Sequence, residues 1–228
     1  MTDSPPPTSE HRVIALLLSL AAVAALGYAS VSRQWLYNSR TVGTAQEVSF
    51  GPRGVALCNM RKSSDGACLE LSNGMLVDNW RKDLDDARKA AAENPADEDA
   101  VAVAALLEKT LHSSAAFPVF GWIAMVACLL GALSLAIGVI LIAAKKRIAW
   151  PIMPTTTALL SLIVGLVAGP VFVALKPGAP GFVGVSIGFF AFGGGVVIGI
   201  GAAIMQNKLM RPHDPDLLEG AMDPDQFV

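Results

Sequence analysis

Long apolar runs alternate with polar segments along this chain. Four of the runs contain no Asp, Glu, Lys, Arg or His, and each approaches or exceeds the roughly 20 helical residues that cross a lipid core of about 30 Å. They cover residues 13–31, 117–144, 158–175 and 181–206. Because backbone groups in lipid must pair within the span, and the alternation of a barrel strand is missing, helices are predicted. The expected fold class is therefore membrane α-helical, with a four-transmembrane-helix bundle in the lipid bilayer.

The first run has an alternative interpretation as a cleaved signal peptide, because small residues at 27–30 suit a signal peptidase. Residues 1–12 before it are acidic and proline-rich rather than basic, which favours a retained span. The composition fits a membrane protein: 53% of the 228 residues are hydrophobic, and the mean hydropathy is +0.52.

Three consecutive basic residues, 145–147, lie between the second and third spans. Short loops rich in Lys and Arg face the cytoplasm, so the loop 145–157 is predicted to be cytoplasmic. Both tails, 1–12 and 207–228, then share that side, in the plasma (cytoplasmic) membrane. The short loop 176–180 and the long segment 32–116 are then expected to be extracytoplasmic. The long segment also contains Lys and Arg, but loops longer than about 60 residues are largely exempt from the charge rule.

Residues 32–74 have the pattern of a small antiparallel sheet. Short runs rich in β-branched and aromatic residues, bounded by turn residues, predict strands at 32–38, 44–50, 54–60 and 67–72. A hairpin of the last two would bring Cys58 and Cys68 within reach of a disulfide, which an oxidising compartment favours. Two free thiols are the alternative. Cys128, within the second span, is predicted to be a packing residue.

These features resemble the claudins and their relatives among the peripheral myelin proteins. That family has four spans, with an early Trp, a Gly-Leu-Trp motif and a disulfide-bonded Cys pair in the first outer loop. Trp35 matches the early Trp, Cys58 and Cys68 match the pair, and Gly54 lies near the family glycine but without an accompanying Trp. The stretch that follows Cys68 is also far longer than in the family.

The resemblance implies a non-enzymatic, claudin-like membrane protein. Its outer domain would make lateral or cell-to-cell contacts with a membrane or extracellular protein, as in cell adhesion, or the chain would be an auxiliary subunit of a membrane complex. An oligomeric channel or transport component is the alternative. The mixed charges of the outer segment argue against nucleic acid as a partner.

Residues 75–116 have the spacing of an added helical hairpin, broken at Asn94-Pro95. Asn94 is predicted to cap the second helix, with Pro95 in its first turn. The hairpin, with Trp80 near its base, is interpreted either as a partner-binding element or as a lid on the strands. The terminal Phe227 and Val228 are similar to the ends with which many claudins bind PDZ domains, or match them by chance.

Glycines spaced four apart in the third and fourth runs predict close helix packing, either inside the bundle or between copies in a homo-oligomer. They are Gly165, Gly169, Gly184, Gly188, Gly195 and Gly199. No ionisable residue lies within a span, the histidines are scattered and only one wide cysteine pair exists. The sequence therefore predicts no catalytic residues, no cofactor and no metal.

Overall fold

A computed structural model of the chain describes residues 9–38, 46–59, 68–110, 115–144, 152–176 and 183–210. The helices are α1 (Ser9–Val31), α2 (Asn73–Glu93), α3 (Glu98–Thr110), α4 (Ala116–Ala143), α5 (Ile152–Ala174) and α6 (Ile187–Met210). The strands are β1 (Leu36–Asn38), β2 (Gln46–Phe50), β3 (Gly54–Asn59), β4 (Cys68–Ser72) and β5 (Gly184–Val185). Some predictions fall outside the described residues: the turn between the two cysteines, the basic residues 145–147, the loop 177–180, and Phe227 and Val228.

Helices α1, α4, α5 and α6 are long and apolar enough to cross a membrane, which indicates a multi-pass membrane protein. They form the predicted bundle: α1 packs against α4 and α6, and α5 packs against the same two helices. Leu26, Leu135 and Leu162 are fully or almost fully buried between them. Many other large apolar side chains in these helices remain exposed on the outside of the bundle, as expected of surfaces that face lipid.

The observed helices differ in length from the apolar runs. α1 begins at Ser9, α5 begins at Ile152 rather than 158, and α6 runs to Met210, past the predicted end at 206. Hydropathy measures the length in contact with lipid, whereas backbone hydrogen bonding continues into polar residues. Lys208 in the last turn of α6 even favours this extension, since a cation there opposes the helix dipole.

The strands form one antiparallel sheet in the order β4-β3-β2-β1-β5. Strands β1 to β4 lie within the four predicted ranges. The fourth span was expected to begin at 181, and the prediction was wrong over the described residues 183–186. There Gly184 and Val185 pair with Tyr37 and Leu36 as β5, so Gly184 is a strand residue and not a helix-packing residue.

Gly54 begins β3 directly opposite Ser72 of β4. A Cβ atom at Gly54 would run into the carbonyl oxygen of Leu71, which is backbone and cannot move aside cheaply. The absence of a side chain therefore permits the close approach of β3 and β4 at this position. Gly51 likewise permits a close backbone approach, because a Cβ there would meet the backbone of Ser32.

An aromatic cluster joins the sheet to the bundle. Trp35 is fully buried, and its Nε1–H donates to the carbonyl oxygen of Ala29 at 2.8 Å. Its ring contacts Phe172 of α5 edge-on at 5.8 Å between centroids, and it lies 4.8 Å from Phe192 of α6. Phe172 in turn stacks on Phe117 of α4 at 4.5 Å. The residues that lead into β1 are thus held by three of the membrane helices.

The helical hairpin forms as predicted, with different caps. Ser72 begins α2, because its Oγ accepts a hydrogen bond from the N–H of Met75. Asn94 does not cap α3: it ends α2, with its N–H donated to Ala90. Asp97 caps α3 instead, with Oδ1 accepting from the N–H groups of Asp99 and Ala100. A turn of three residues therefore separates Asn94 from the start of α3.

We predict that Gly54→Ala destabilises the sheet, by about 1–3 kcal/mol, because the added methyl group must push β3 from β4. The matched control is Gly74→Ala in α2, where the nearest atom lies 3.9 Å from the new Cβ. This control should be neutral or stabilising by up to about 1 kcal/mol, since Ala favours helix. Thermal unfolding in detergent measures both; equal stability of the two variants would contradict the prediction.

Candidate functional site: the sheet and helical hairpin

We define the cap region as the sheet with its connections and the α2–α3 hairpin, residues 32–38, 46–59, 68–110 and 183–186 of the described chain. It lies where α1 and α5 end and where α4 and α6 begin, at one end of the bundle. The connection from α5 is tied to it, because Lys176 Nζ donates to the carbonyl oxygen of Val183 at 2.8 Å. All of the cap region is thus built at the same end of the four helices.

A disulfide bond joins Cys58 of β3 to Cys68 of β4. The two residues are directly opposite in the strand register, with Cα atoms 4.2 Å apart. The predicted hairpin thus brings them together. Among the described residues β4 is at one end of the sheet, so the covalent link holds it against β3, its strand neighbour there.

Asn73 fixes the root of the helical hairpin. Its side chain is buried, and Nδ2 donates to the carbonyl oxygens of Gly51 and Pro52 at 3.0 Å each. Gly121 of α4 lies against the same group, because a Cβ there would be 2.5 Å from the Pro52 oxygen. One amide therefore ties the start of α2 to the β2–β3 turn beside α4. Nothing in the apolar periodicity of α2 points to this residue.

Trp80, the residue predicted to bind a partner, lies in the first half of α2. Its ring is half-buried and packs against the hydrophobic core, as do Leu76 and Val77 one turn earlier. These side chains anchor the first half of α2 to the rest of the cap region. Beyond Trp80, the α2 side chains are exposed or half-buried, and the exposed ones are mostly charged. The distal part of the hairpin therefore projects from the fold.

In the distal hairpin, α2 and α3 differ in character. The outer surface of α2 carries Arg, Lys, Asp and Glu side chains, whereas residues 101–107 of α3 are all apolar. An ion pair, Arg88 Nη2 to Glu108 Oε1 at 2.6 Å, joins the two helices. Since both groups are more than half exposed, this pair contributes little on its own.

Two polar pairs lie on the sheet. Arg33 forms an ion pair with Glu70 of β4, and Tyr37 of β1 is hydrogen-bonded to Glu47 of β2. The Glu47 carboxylate accepts the phenol hydrogen and repels a phenolate, so together with burial it raises the pKa of Tyr37. Both pairs link side chains of the sheet and its connections, and the exposed Arg33–Glu70 ion pair contributes little on its own.

The predicted packing glycines lie inside the bundle, apart from Gly184. Gly165 and Gly169 make room for the ring of Phe192, and Gly188 for Trp35. Gly195 lies against Leu26, and Gly199 against Leu162. Of the two predicted uses, packing within one chain therefore accounts for the five helical glycines.

A buried polar cluster in the bundle was missed from the sequence. Gln206 of α6 is fully buried, and its Nε2 donates to Ser19 Oγ of α1 at 2.9 Å and to the Leu135 carbonyl oxygen of α4 at 3.0 Å. Its Oε1 lies against Gly138, where a side chain would not fit. The one signal was a Gln at the end of an apolar run. The cluster fixes the relative positions of α1, α4 and α6 by hydrogen bonds that lipid cannot replace.

No group of three His, Cys, Asp or Glu side chains among the described residues could hold a metal ion. A groove of about 390 Å³ between α4 and α5 is lined almost wholly by apolar side chains such as Trp122, Leu130 and Val164. It belongs to the membrane-spanning surface. The sequence matches no protein-family model and no curated protein.

We predict that Cys58→Ser, or Cys68→Ser, lowers the free energy of unfolding by about 2–3 kcal/mol, because the unfolded chain then gains the freedom of a short loop. Chemical denaturation of each variant in detergent, compared with wild type with and without reductant, measures the loss. The Cys128→Ala variant is the control, because that thiol is free and lies in α4. The Cys58→Ser and Cys68→Ser variants are each expected to be as stable as reduced wild type. If either variant kept the full stability of oxidised wild type, the bond would have no structural role.

We predict that Glu47→Gln lowers the pKa of Tyr37, since it removes the charge that opposes phenolate formation. The chain has two tyrosines, so a Tyr28→Phe background leaves Tyr37 as the sole reporter in an ultraviolet absorbance titration of tyrosinate. Glu70→Gln, on β4 at one end of the sheet, serves as the control and should leave the Tyr37 titration unchanged. An unchanged Tyr37 pKa in the Glu47→Gln variant would show that the hydrogen bond between Tyr37 and Glu47 does not form in solution.

Proposed function

We propose that this chain is a non-enzymatic, claudin-like integral membrane protein. Its cap region faces the extracytoplasmic side and binds another protein, in lateral or cell-to-cell contacts or as an auxiliary subunit of a membrane complex. The observation that carries the proposal is the projecting α2–α3 hairpin, whose base is fixed to the fold by Asn73 and Trp80. A rigidly mounted element with few contacts of its own suits recognition.

The distribution of positive charge supports the proposed orientation. The basic residues 145–147 follow α4 in the sequence, and Lys208 is in the last turn of α6. Both helices end away from the cap region. The positive-inside rule assigns such ends to the cytoplasm. A disulfide in the cap region agrees with an oxidising compartment on the other side.

The interior of the bundle supports a role in contacts rather than conduction. The buried polar side chains among the described membrane residues are Ser, Thr and Gln, and no Asp, Glu, Lys, Arg or His side chain among them is buried. Bulky side chains such as Phe172 and Phe192 fill the end near the cap region. Ion flux through liposomes that contain only the purified protein would contradict this part of the proposal.

The orientation is tested with single added cysteines in intact cells. Ala92→Cys, exposed near the end of α2, should react with a membrane-impermeant maleimide. Asn207→Cys, in the last turns of α6 at the opposite end of the bundle, should react only after the membrane is permeabilised. Wild-type protein, treated in the same way, measures the background labelling of the native cysteines. Labelling of Asn207→Cys alone in intact cells would invert the orientation and overturn an extracytoplasmic function.

The contact function is tested by removal of the distal hairpin. Residues 85–106 are replaced with a short Gly-Ser linker, which leaves Asn73, Trp80 and the disulfide in place. Native electrophoresis of mildly solubilised membranes should show the full chain in an assembly above its own 23.8 kDa, and the variant in a smaller one. A disulfide that still forms is the folding control. An assembly of unchanged size would remove the hairpin from the proposed function.

A further inference from the structure

We infer that the groove between α4 and α5 holds one acyl chain of a phospholipid from the membrane leaflet on the side of the cap region. The basis is a concave apolar surface that spans the depth of a single leaflet and has a tryptophan at its end near the lipid–water boundary. The inference goes beyond the proposed contact function and does not depend on it. It requires only that the four helices cross a membrane, in either orientation.

Small residues form the floor of the groove and large ones form its walls. Ala127 of α4 is buried, and a Cβ at Gly165 of α5 would lie only 3.5 Å from the Ala127 Cβ, so the two helices approach closely there. The larger Val126 of α4, and Leu160 and Val164 of α5, line the groove and remain exposed. The resulting space of about 390 Å³ falls within the range of about 300–1,000 Å³ that is typical of sites for small ligands.

The groove covers the depth of one leaflet. Helix α4 has 28 residues, so Leu130, the lining residue of α4 farthest from the cap region, lies at the middle of this helix. From Trp122 to Leu130 the helix rises about 12 Å, which is close to half of a lipid core of about 30 Å. On α5 the lining ends at Leu160, also near the middle of its helix. With the bundle centred in the bilayer, the groove therefore ends where an acyl chain of that leaflet ends.

Trp122 lies at the end of the groove nearer the cap region. The 28 residues of α4 are about 42 Å long, which leaves about 6 Å at each end outside a lipid core of about 30 Å. Trp122 lies about 9 Å from the first residue of α4, just inside that boundary. Trp is enriched at this depth because its ring is apolar while its N–H can reach water or headgroups. The half-exposed Trp122 ring is thus at the level where an acyl chain joins its headgroup.

A transmembrane helix from another protein fits this groove less well than an acyl chain does. Helices that pack in membranes approach each other through small residues. The α4 wall of the groove instead carries the large side chains of Trp122, Ile123 and Val126. A helix also crosses the whole lipid core, whereas the groove ends at its middle. A flexible chain can follow an irregular concave surface and needs no more than one leaflet of depth.

The shape of the groove, and not its hydrophobicity, favours a bound chain over a free one. Exposed Leu and Val side chains are ordinary in lipid, because acyl chains are equally apolar. In the groove a chain gains dispersion contacts with two walls and a floor, whereas on the side of a single helix it has them in one direction. The matched comparison is Val197 of α6, which is 71% exposed. It lies as far from the start of α6 as Val126 does from the start of α4, and so at a similar depth.

Photocrosslinking of the full chain tests the site. The protein is reconstituted into phosphatidylcholine vesicles that contain a trace of the same lipid with a diazirine on one acyl chain, and mass spectrometry locates the label. Residues 122–130 and 160–164 should carry about tenfold more label than residues 190–197 of α6, a preference of about 1.4 kcal/mol. Equal labelling would mean that lipid contacts the groove as it contacts any other membrane surface, and would overturn the inference.

Filling the groove tests whether its shape is responsible. Val126→Trp on the α4 wall and Val164→Trp on the α5 wall should each reduce the groove label to the level of α6, because the larger ring occupies the space of the chain. Val197→Trp introduces the same ring outside the groove and should leave the groove label unchanged. An intact Cys58–Cys68 disulfide and wild-type thermal unfolding in detergent identify the folded variants. A folded groove variant that keeps its label, or loss of the label in Val197→Trp, would contradict the inference.

The result separates from that of the proposed function. The variant with a linker in place of residues 85–106 retains α4 and α5, so its groove should still be labelled. A native assembly of unchanged size in that variant removes the hairpin from the contact function and leaves the lipid site in place. An unlabelled groove in wild type overturns the lipid site and leaves the contact function in place.

Discussion

The burial of the Trp35 indole is the interaction on which the joining of the sheet to the membrane helices depends. Trp35 lies just after α1, and its ring contacts Phe172 of α5 and Phe192 of α6. Its indole N–H donates a hydrogen bond to the carbonyl oxygen of Ala29 near the end of α1. Backbone bonds on both sides, from Trp35 N–H to Phe50 and from Ser186 N–H to Trp35, align β1 with β2 and β5. A single side chain thus sets the position of the sheet on the bundle.

Lipid around the bundle and water around the cap region place opposite requirements on the exposed side chains. In lipid, exposed apolar side chains are the solvated ones, and polar groups such as Gln206 must find partners inside the bundle. In water, the preference reverses, so the charged surface of α2 is ordinary and the bare apolar sides of α3 are not. The same observation, an exposed Leu or Val, therefore carries information about partners only in the cap region.

The candidate site could be predicted in part from local signals. The cysteine spacing and the alternating strands sufficed for the Cys58–Cys68 pair, because strand register is set by a short hairpin. The break at Asn94 was visible as well, but its capping role was misassigned, since Asn and Asp are both good caps and only Asp97 has the required geometry. Trp80 remains a predicted contact residue, but its packing against the core, which anchors α2, could not be predicted from the sequence. Burial of one face of a helix depends on neighbours that lie far away in sequence.

The sequence by itself determined the number of membrane helices, the strands β1 to β4 and the hairpin, because length, hydropathy and periodicity act locally along the chain. Tertiary structure alone decided the rest. The strand β5, two residues long, exists only because Leu36 and Tyr37 offer an open edge. The helical glycines acquire their role from the particular side chains that face them, such as Phe192 opposite Gly169. Asn73 and Gln206 became structural centres because distant carbonyl groups converge on their amides, and no local pattern records a convergence of that kind.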